Sequence, residues 1–378
     1  MNLRTVRAAA AALVIGTAVL GATAASAQTS VSKEVGAAYN EAKALTAQKR
    51  YREAMQRLDS APAKTAGERA VIEQMKQYVA IQSGDASIGG ALGAKAKFAQ
   101  DAAAGRWDAV IAGGDALRKA GALDAQSMVV IAQAYYRKND PKGCMRYIRS
   151  NLGAGAGGES GLQLLQRCAY DAGDLVAERQ ALEQLVGRTG KPEYWSQLLR
   201  LAQRGRGLTD QNTLDIYRLK SMTGSLTTAD EAMTYAQIAL VRQMPAEAIA
   251  VIDQSTKAKI MPANDRTARL LKLATDRNAE ANAGAAKALA AANAAPNGDA
   301  LVAVGQQQVS QGKAKDGVAS IRAGIAKKPT NVAEAQLRLG AALLADGQKA
   351  EAVRAFNAVK GSEQAQMIAG LYAIYARR

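Results

Sequence analysis

The sequence predicts an all-α protein: a right-handed superhelical solenoid of antiparallel helix pairs, ended by a C-terminal capping helix. Three observations carry this expectation. Apolar residues make up 48% of the 378, with Ala dominant, and aromatics only 4%. Ala is the best helix former and a poor strand residue, and so few aromatics are thin for a sandwich or barrel. The seven prolines (Pro62, Pro141, Pro192, Pro245, Pro262, Pro296 and Pro329) all fall where helices would begin or be joined, as expected when a Pro inside a helix costs ~3 kcal/mol. Finally, the C-terminal part repeats itself: Gly305 to Gly340, Gly312 to Gly347 and Ile321 to Phe356 are each 35 residues apart.

Residues 1–27 read as a cleaved signal peptide. Arg4 and Arg7 form a short basic region, Ala8 to Leu20 are apolar and uncharged, and Ala25-Ser26-Ala27 fits a small-residue cleavage site. Cleavage is expected between Ala27 and Gln28, with export to the periplasm. An uncleaved anchor is the rival reading, since a span needs ~20 mostly apolar residues; after cleavage no integral membrane span is expected. No Cys stands near the site, which excludes a lipoprotein. The net charge of +16 falls to +14 without Arg4 and Arg7. In an exported chain that charge suits an acidic protein face, an anionic envelope polymer or lipid head groups, or simply solubility, rather than nucleic acid.

Residues 28–190 read as a degenerate N-terminal repeat array, 191–295 as central helical repeats, 296–361 as the two clearest units and 362–378 as the capping helix. Within the clear units, Gly305 is paired with Gly317 and Gly340 with Ala352, small residues where two helices cross. Ile321 and Phe356 follow as the large residues, and Pro329 closes the first unit. These positions resemble the tetratricopeptide repeat, a helix–turn–helix of about 34 residues. The same frame fits Ala42, Leu45, Tyr51, Ala54 and Leu58, then Ala132, Tyr135, Cys144 and Ile148. It also fits Ala236, Ala239, Ala248 and Ile252. It fits Leu165 to Leu185 more loosely, with Glu178 at a place usually small. Register is lost around residues 84–105 and 204–214. The stretch Lys191-Pro192-Glu193-Tyr194-Trp195, followed by Leu214 to Lys220 and Thr223-Gly224, is similar to exported proteobacterial proteins of this repeat type. Some of them stand beside TonB-type energy-transducing systems, so the resemblance implies an accessory role of that kind.

Catalysis is not expected. With no His, the Ser-His-Asp and Cys-His nucleophiles and His-ligated metals are excluded. Two Cys cannot build a thiolate zinc site or an iron–sulfur cluster from one chain. Gly187-Arg188-Thr189-Gly190-Lys191 lacks the spacing of a phosphate loop, and Pro192 follows where Ser or Thr is needed. No cofactor and no metal is expected.

Function is expected on the face lined by the first helix of each unit, where the resemblance implies a concave partner-binding groove. Carried over by position, the outward residues are Tyr39, Asn40 and Lys43; Gln133, Tyr136 and Arg137; Arg167 and Tyr170; Gln197, Arg200 and Arg204; and Gln237. Tyr, Gln and Arg bind peptide backbone and carboxylates. The expectation is a non-catalytic scaffold in the cell envelope that binds a protein or peptide, an acidic one on charge grounds. The alternative is an accessory protein binding an anionic polymer or lipid head groups. Cys144 and Cys168 are expected to form a disulfide. They lie equally far from the Gly-rich loop at 153–158 in a helical hairpin, and the compartment is oxidising.

Overall fold

The computed structural model describes residues 31–378, so the expected cleavage between Ala27 and Gln28 lies outside the described residues. Among the described residues there are nineteen α-helices and no strand. The chain divides into two compact units. The first holds α1 (Lys33–Ala47), α2 (Tyr51–Asp59), α3 (Ala66–Ser83), α4 (Ala86–Ala103) and the end of α5 (Trp107–Lys119). The second holds the start of α5 and everything from Leu123 on. Its helices are α6 (Ala125–Arg137), α7 (Pro141–Leu152), α8 (Glu159–Asp171), α9 (Leu175–Thr189), α10 (Pro192–Gln203), α11 (Asp210–Met222), α12 (Ala229–Val241) and α13 (Pro245–Lys257). They continue with α14 (Asp265–Ala294), α15 (Asp299–Ser310), α16 (Ala314–Ala326), α17 (Val332–Ala345), α18 (Lys349–Asn357) and α19 (Glu363–Ala376).

In the first unit Val35, Ala42, Ala54, Leu58, Ile72, Met75 and Val79 form the core. Glu68 ties its start together. Thr65 caps α3 by accepting from the Glu68 N–H, and the Glu68 carboxylate accepts from the N–H groups of Thr65, Lys64 and Ser32. The bonds from Ser32, then those from Thr65 and Lys64, hold this carboxyl at about 2.

The second unit is built from helix pairs. α6 packs on α7, α8 on α9, α12 on α13, α15 on α16 and α17 on α18, and each pair packs on the next through α7–α8, α9–α10, α13–α14 and α16–α17. Turns set this arrangement. Within pairs, one residue with positive φ stands at Asn139, Gly173, Gly207, Gln243, Gly312 and Gly347; between pairs, positive φ recurs at Ala156 (with Gly153, Gly157 and Gly158 in the same loop), Gly190, Gly224, Lys259, Lys328 and Gly361. Neighbours within each series are 33–36 residues apart, with a single double step in each. A left-handed residue just past a helix end satisfies its last carbonyls and reverses the chain. At Asn139 and Gly173 it is followed directly by an Asp cap, Asp140 on the Gly143 N–H and Asp174 on the Ala177 N–H. Pro141, Pro192 and Pro245 each occupy the first position of a helix, where the missing N–H costs nothing.

Gly305 and Gly317 lie where α15 crosses α16. A Cβ on Gly305 would stand 2.5 Å from Ile321 Cγ1 and 2.8 Å from the Gly317 carbonyl oxygen, so only Gly allows this approach. Cys144 in α7 and Cys168 in α8 are bonded to each other, with Cα atoms 6.4 Å apart.

Two features differ from the sequence expectation. The stretch between Pro262 and Pro296, one repeat long, contains no turn: α14 runs unbroken for 30 residues. Where the turn is due, the chain reads Arg277-Asn278-Ala279-Glu280, with neither a Gly nor an Asp cap. Ala-rich sequence follows, and the lone Gly284 costs only ~1 kcal/mol in a helix. The capping segment at 362–378 also does more than end the array. α19 packs on α17 and α18 and also on α9 and α11, with Ile368, Leu371 and Tyr372 buried. The Arg378 guanidinium donates to the Val186 carbonyl at 2.6 Å.

Candidate functional site

Five of the sequence-predicted residues meet in one pocket of about 390 Å³ within the second unit: Arg167, Tyr170, Gln197, Arg200 and Arg204, joined by Gln166, Glu178 and Leu201. Helix periodicity puts them there. Gln197 and Arg200 of α10 and Arg204, which caps its C-terminal end, follow each other at steps of three and four, and Arg167 and Tyr170 are three apart on α8, so each set shares a face. The opposite faces are apolar: Trp195, Leu198 and Leu199 of α10, and Leu165, Cys168 and Ala169 of α8, are buried.

Arg167 is held in place. Its Nε donates to the Tyr136 hydroxyl at 3.1 Å, and that hydroxyl donates to Asp171 Oδ2 at 2.6 Å. The bond to Asp171 pushes the Tyr136 hydroxyl up, and the bond to Tyr136 raises the Arg167 guanidinium. Arg200 contacts only the Ser196 hydroxyl, at 3.4 Å, and neither Arg200 nor Arg204 has an ion pair among the described residues. Tyr170 is 56% exposed. Glu178 is the one acid in the lining, buried and accepting from Gln166 Nε2 at 3.3 Å. With Arg167 also paired to Asp171 at 3.4 Å, Arg200 and Arg204 are the surplus donors that the pocket offers to an anionic or carbonyl-rich ligand. The Glu178 position, at odds with its frame in the sequence, belongs to this lining.

The other predicted residues are spread out. Gln133 and Arg137 stand on α6 and Gln237 on α12, outside this pocket; Tyr136 joins it only through Arg167. Tyr39, Asn40 and Lys43 are on α1 in the first unit, with Tyr39 half-buried against that unit's core.

A second cluster, absent from the sequence expectations, ties α11 to distant helices. Arg218 donates bidentately to Glu247 of α13, at 2.7 and 2.6 Å, and to Asp215 Oδ1 at 3.0 Å. Arg338 of α17 also donates to Asp215 Oδ1, and to Glu334 Oε2 at 2.7 Å. Asn212 donates to Glu334, the Tyr235 hydroxyl to Glu247 at 2.8 Å, and the Tyr372 hydroxyl of α19 to the Asp215 carbonyl at 3.2 Å. Asp215 is fully buried and Arg338 2% exposed. Burial opposes the charge on both arginines, yet Glu247 raises Arg218 and Asp215 raises Arg338. Burial likewise works against the Glu247 carboxylate, and Arg218 outweighs it, so Glu247 lies below its ordinary value. Burial pushes the Tyr235 and Tyr372 hydroxyls up. Arg218, Glu247 and Arg338 form part of the wall of a cavity of about 490 Å³ whose other walls include Met222, Val309, Ile321 and Leu344. The signal in sequence was charge inside an apolar run: Asp215 between Leu214 and Ile216, and Arg338 between Leu337 and Leu339. Charged residues are almost never fully buried unless paired.

No family model matches this chain, and no curated protein is similar to it. Among the described residues no helix is long and apolar enough to cross a membrane. Fold and site together define a helical-repeat protein with an arginine-lined surface pocket.

Proposed function

We propose that this is an exported, periplasmic scaffold of tetratricopeptide type, without catalytic activity, which binds an acidic protein or peptide at the arginine pocket of α8–α10. One observation carries the reading: Arg167, Arg200 and Arg204 converge on one pocket beside an exposed Tyr170, and two of the three lack an acidic partner among the described residues. Arg and Tyr are the residue types that dominate binding hot spots, and a guanidinium pairs bidentately with a carboxylate. A photo-crosslinking amino acid in place of Tyr170 tests it in cells. The expected result is a discrete crosslinked protein, reduced when Arg200 and Arg204 are replaced by Ala. A yield no higher than from a crosslinker at exposed Lys360 moves the site elsewhere.

A second reading has its own support. Lys142, Arg146 and Arg149 share a face of α7 and line a separate pocket with Asp174. Such a basic face suits an anionic envelope polymer or lipid head groups. Binding of that kind collapses steeply with salt, because exposed charges are screened over ~10 Å at 0.1 M ionic strength.

A further inference from the structure

The turn register of the second unit shows one helix missing from its place. Turns within pairs fall at Gln243 and Gly312, twice the usual step apart, and the intervening turn is due near Asn278, in the middle of α14. In the other pairs the second helix folds back on the first. Here it continues straight, so α14 is the two helices of one unit fused end to end, about 45 Å long at 1.5 Å per residue. The place that the folded-back half would fill is open. It is a groove of about 610 Å³, lined by Leu240, Val241 and Pro245 on one side and by Leu273 and Arg277 of the first half of α14 on the other, with Glu280 and Ala281 just past the register of the lost turn and Gln307 of α15 at its edge. Its apolar residues meet water: Val241 is 67% exposed and Leu273 47%. Asn278, at the register of the lost turn, keeps a buried Oδ1 without a hydrogen-bond partner.

The second half of α14 is the other side of the same defect. Ala279, Ala283, Ala286 and Ala290 recur at steps of four, three and four and are all exposed, so they form one uncovered stripe of small residues. In a closed pair, residues equally far from the turn lie side by side. With the turn at Asn278, Leu273 would stand beside Ala283.

We propose that the groove of one chain is filled by residues 279–294 of a second copy, and the reverse, giving a two-fold dimer. The occupant follows from the register: the segment that belongs in the groove is this one, and in this chain only its first residues, Glu280 and Ala281, border the groove while the rest runs on beyond it. A single chain folding back would carry α15–α19 with it and part Arg338 from Asp215, whereas exchange with a second copy leaves that pair intact. The contact is isologous, since Leu273 of each copy meets Ala283 of the other, and a two-fold contact of this sort closes without leaving a free end. Large apolar residues packing onto an Ala stripe let two helices approach closely.

Sedimentation equilibrium of the exported protein decides it. The expected mass is twice that of the chain. Leu273→Arg and Ala283→Arg, both at exposed positions, should each weaken dimerisation by more than about tenfold, or 1.4 kcal/mol, with helicity unchanged. Mixing chains that carry Leu273→Cys with chains that carry Ala283→Cys should give a disulfide-linked dimer. A monomer at all concentrations overturns the proposal, and so does a dimer that both Arg variants leave intact. A chain carrying both Cys substitutions that closes its bond within the monomer would show the segment folding back on itself, which also overturns it.

Discussion

The pair α8–α9 and the single helix α14 have nearly the same length of chain, residues 159–189 and 265–294, and opposite outcomes. The first reverses at Gly173 and caps the new helix with Asp174; the second runs on through Arg277-Asn278-Ala279-Glu280. Both stretches are good helix sequence. The difference teaches that a Gly and an Asp cap favour closure without deciding it, since Gln243-Met244 has neither and α12–α13 still closes; the chain around the closed pair is held by a nearby bond, whereas that around the open one depends on distant contacts. α8 is bonded to the adjacent α7 through Cys144 and Cys168. The chain on either side of α14 is held together by Arg338 and Asp215, 123 residues apart.

The largest expected effect is at that distant contact. Arg338→Ala leaves Asp215 buried with one guanidinium fewer, and breaking a buried pair costs about 3–5 kcal/mol. Urea unfolding followed by circular dichroism should show this loss, and hydrogen exchange should place it in α11 and α17. Acid should act on the same cluster. Because the Glu247 carboxyl lies lower in the folded chain than its ordinary 4.5, its contribution is complete above that value and disappears as pH falls through the lowered one. Glu247→Gln should remove that part of the pH dependence.

Reduction of Cys144–Cys168 comes next. Opening a loop of this size costs roughly 3–4 kcal/mol in the chain-entropy model. Thermal melts with and without reductant should differ accordingly, the change confined to α7–α9 in exchange experiments.

Exchanging the turn chemistry should have a smaller effect. Gly173→Ala places a side chain at a left-handed position and should destabilise by about 1–2 kcal/mol. Asn278→Gly with Ala279→Asp writes the Gly173-Asp174 turn into α14 and should weaken the straight helix by about 1–2 kcal/mol, visible as lost helicity. Smallest of all, Arg167, Arg200 and Arg204 replaced by Ala should each change stability by less than about 0.5 kcal/mol, as exposed side chains do.

The same contrast separates what was legible in the sequence from what was not. Gly305, Gly317, Gly312 and Gly347 announced the pairs because close approach and left-handed turns each demand one residue type at a fixed step. The seven prolines marked joints for the same reason. Arg167, Tyr170, Gln197, Arg200 and Arg204 could be grouped because they share helix faces on neighbouring helices. Glu178 looked like a misfit, since the signal for a pocket floor is a burial that only the fold reveals. The Asp215–Arg338 contact was not legible: nothing in the spacing of residues 123 apart says that they meet. The continuity of α14 was hidden because Pro262 and Pro296 bracket a normal repeat, while the missing turn is marked only by what Arg277 to Glu280 lack.

The central claim, that the arginine pocket of α8–α10 takes an acidic partner, is tested most directly by titrating a fluorescent peptide rich in Asp and Glu into the protein. The chain with Arg167, Arg200 and Arg204 all replaced by Ala is the comparison, at low and at physiological salt. Each charge-assisted hydrogen bond is worth about 1.5–3 kcal/mol, so the account predicts that the triple variant binds more than about tenfold more weakly. That ratio should narrow at the higher salt, as it does for exposed charges, and Lys142→Ala with Arg146→Ala should leave binding unchanged. Equal binding by the parent and the triple variant, or a loss that follows the α7 substitutions instead, would contradict it.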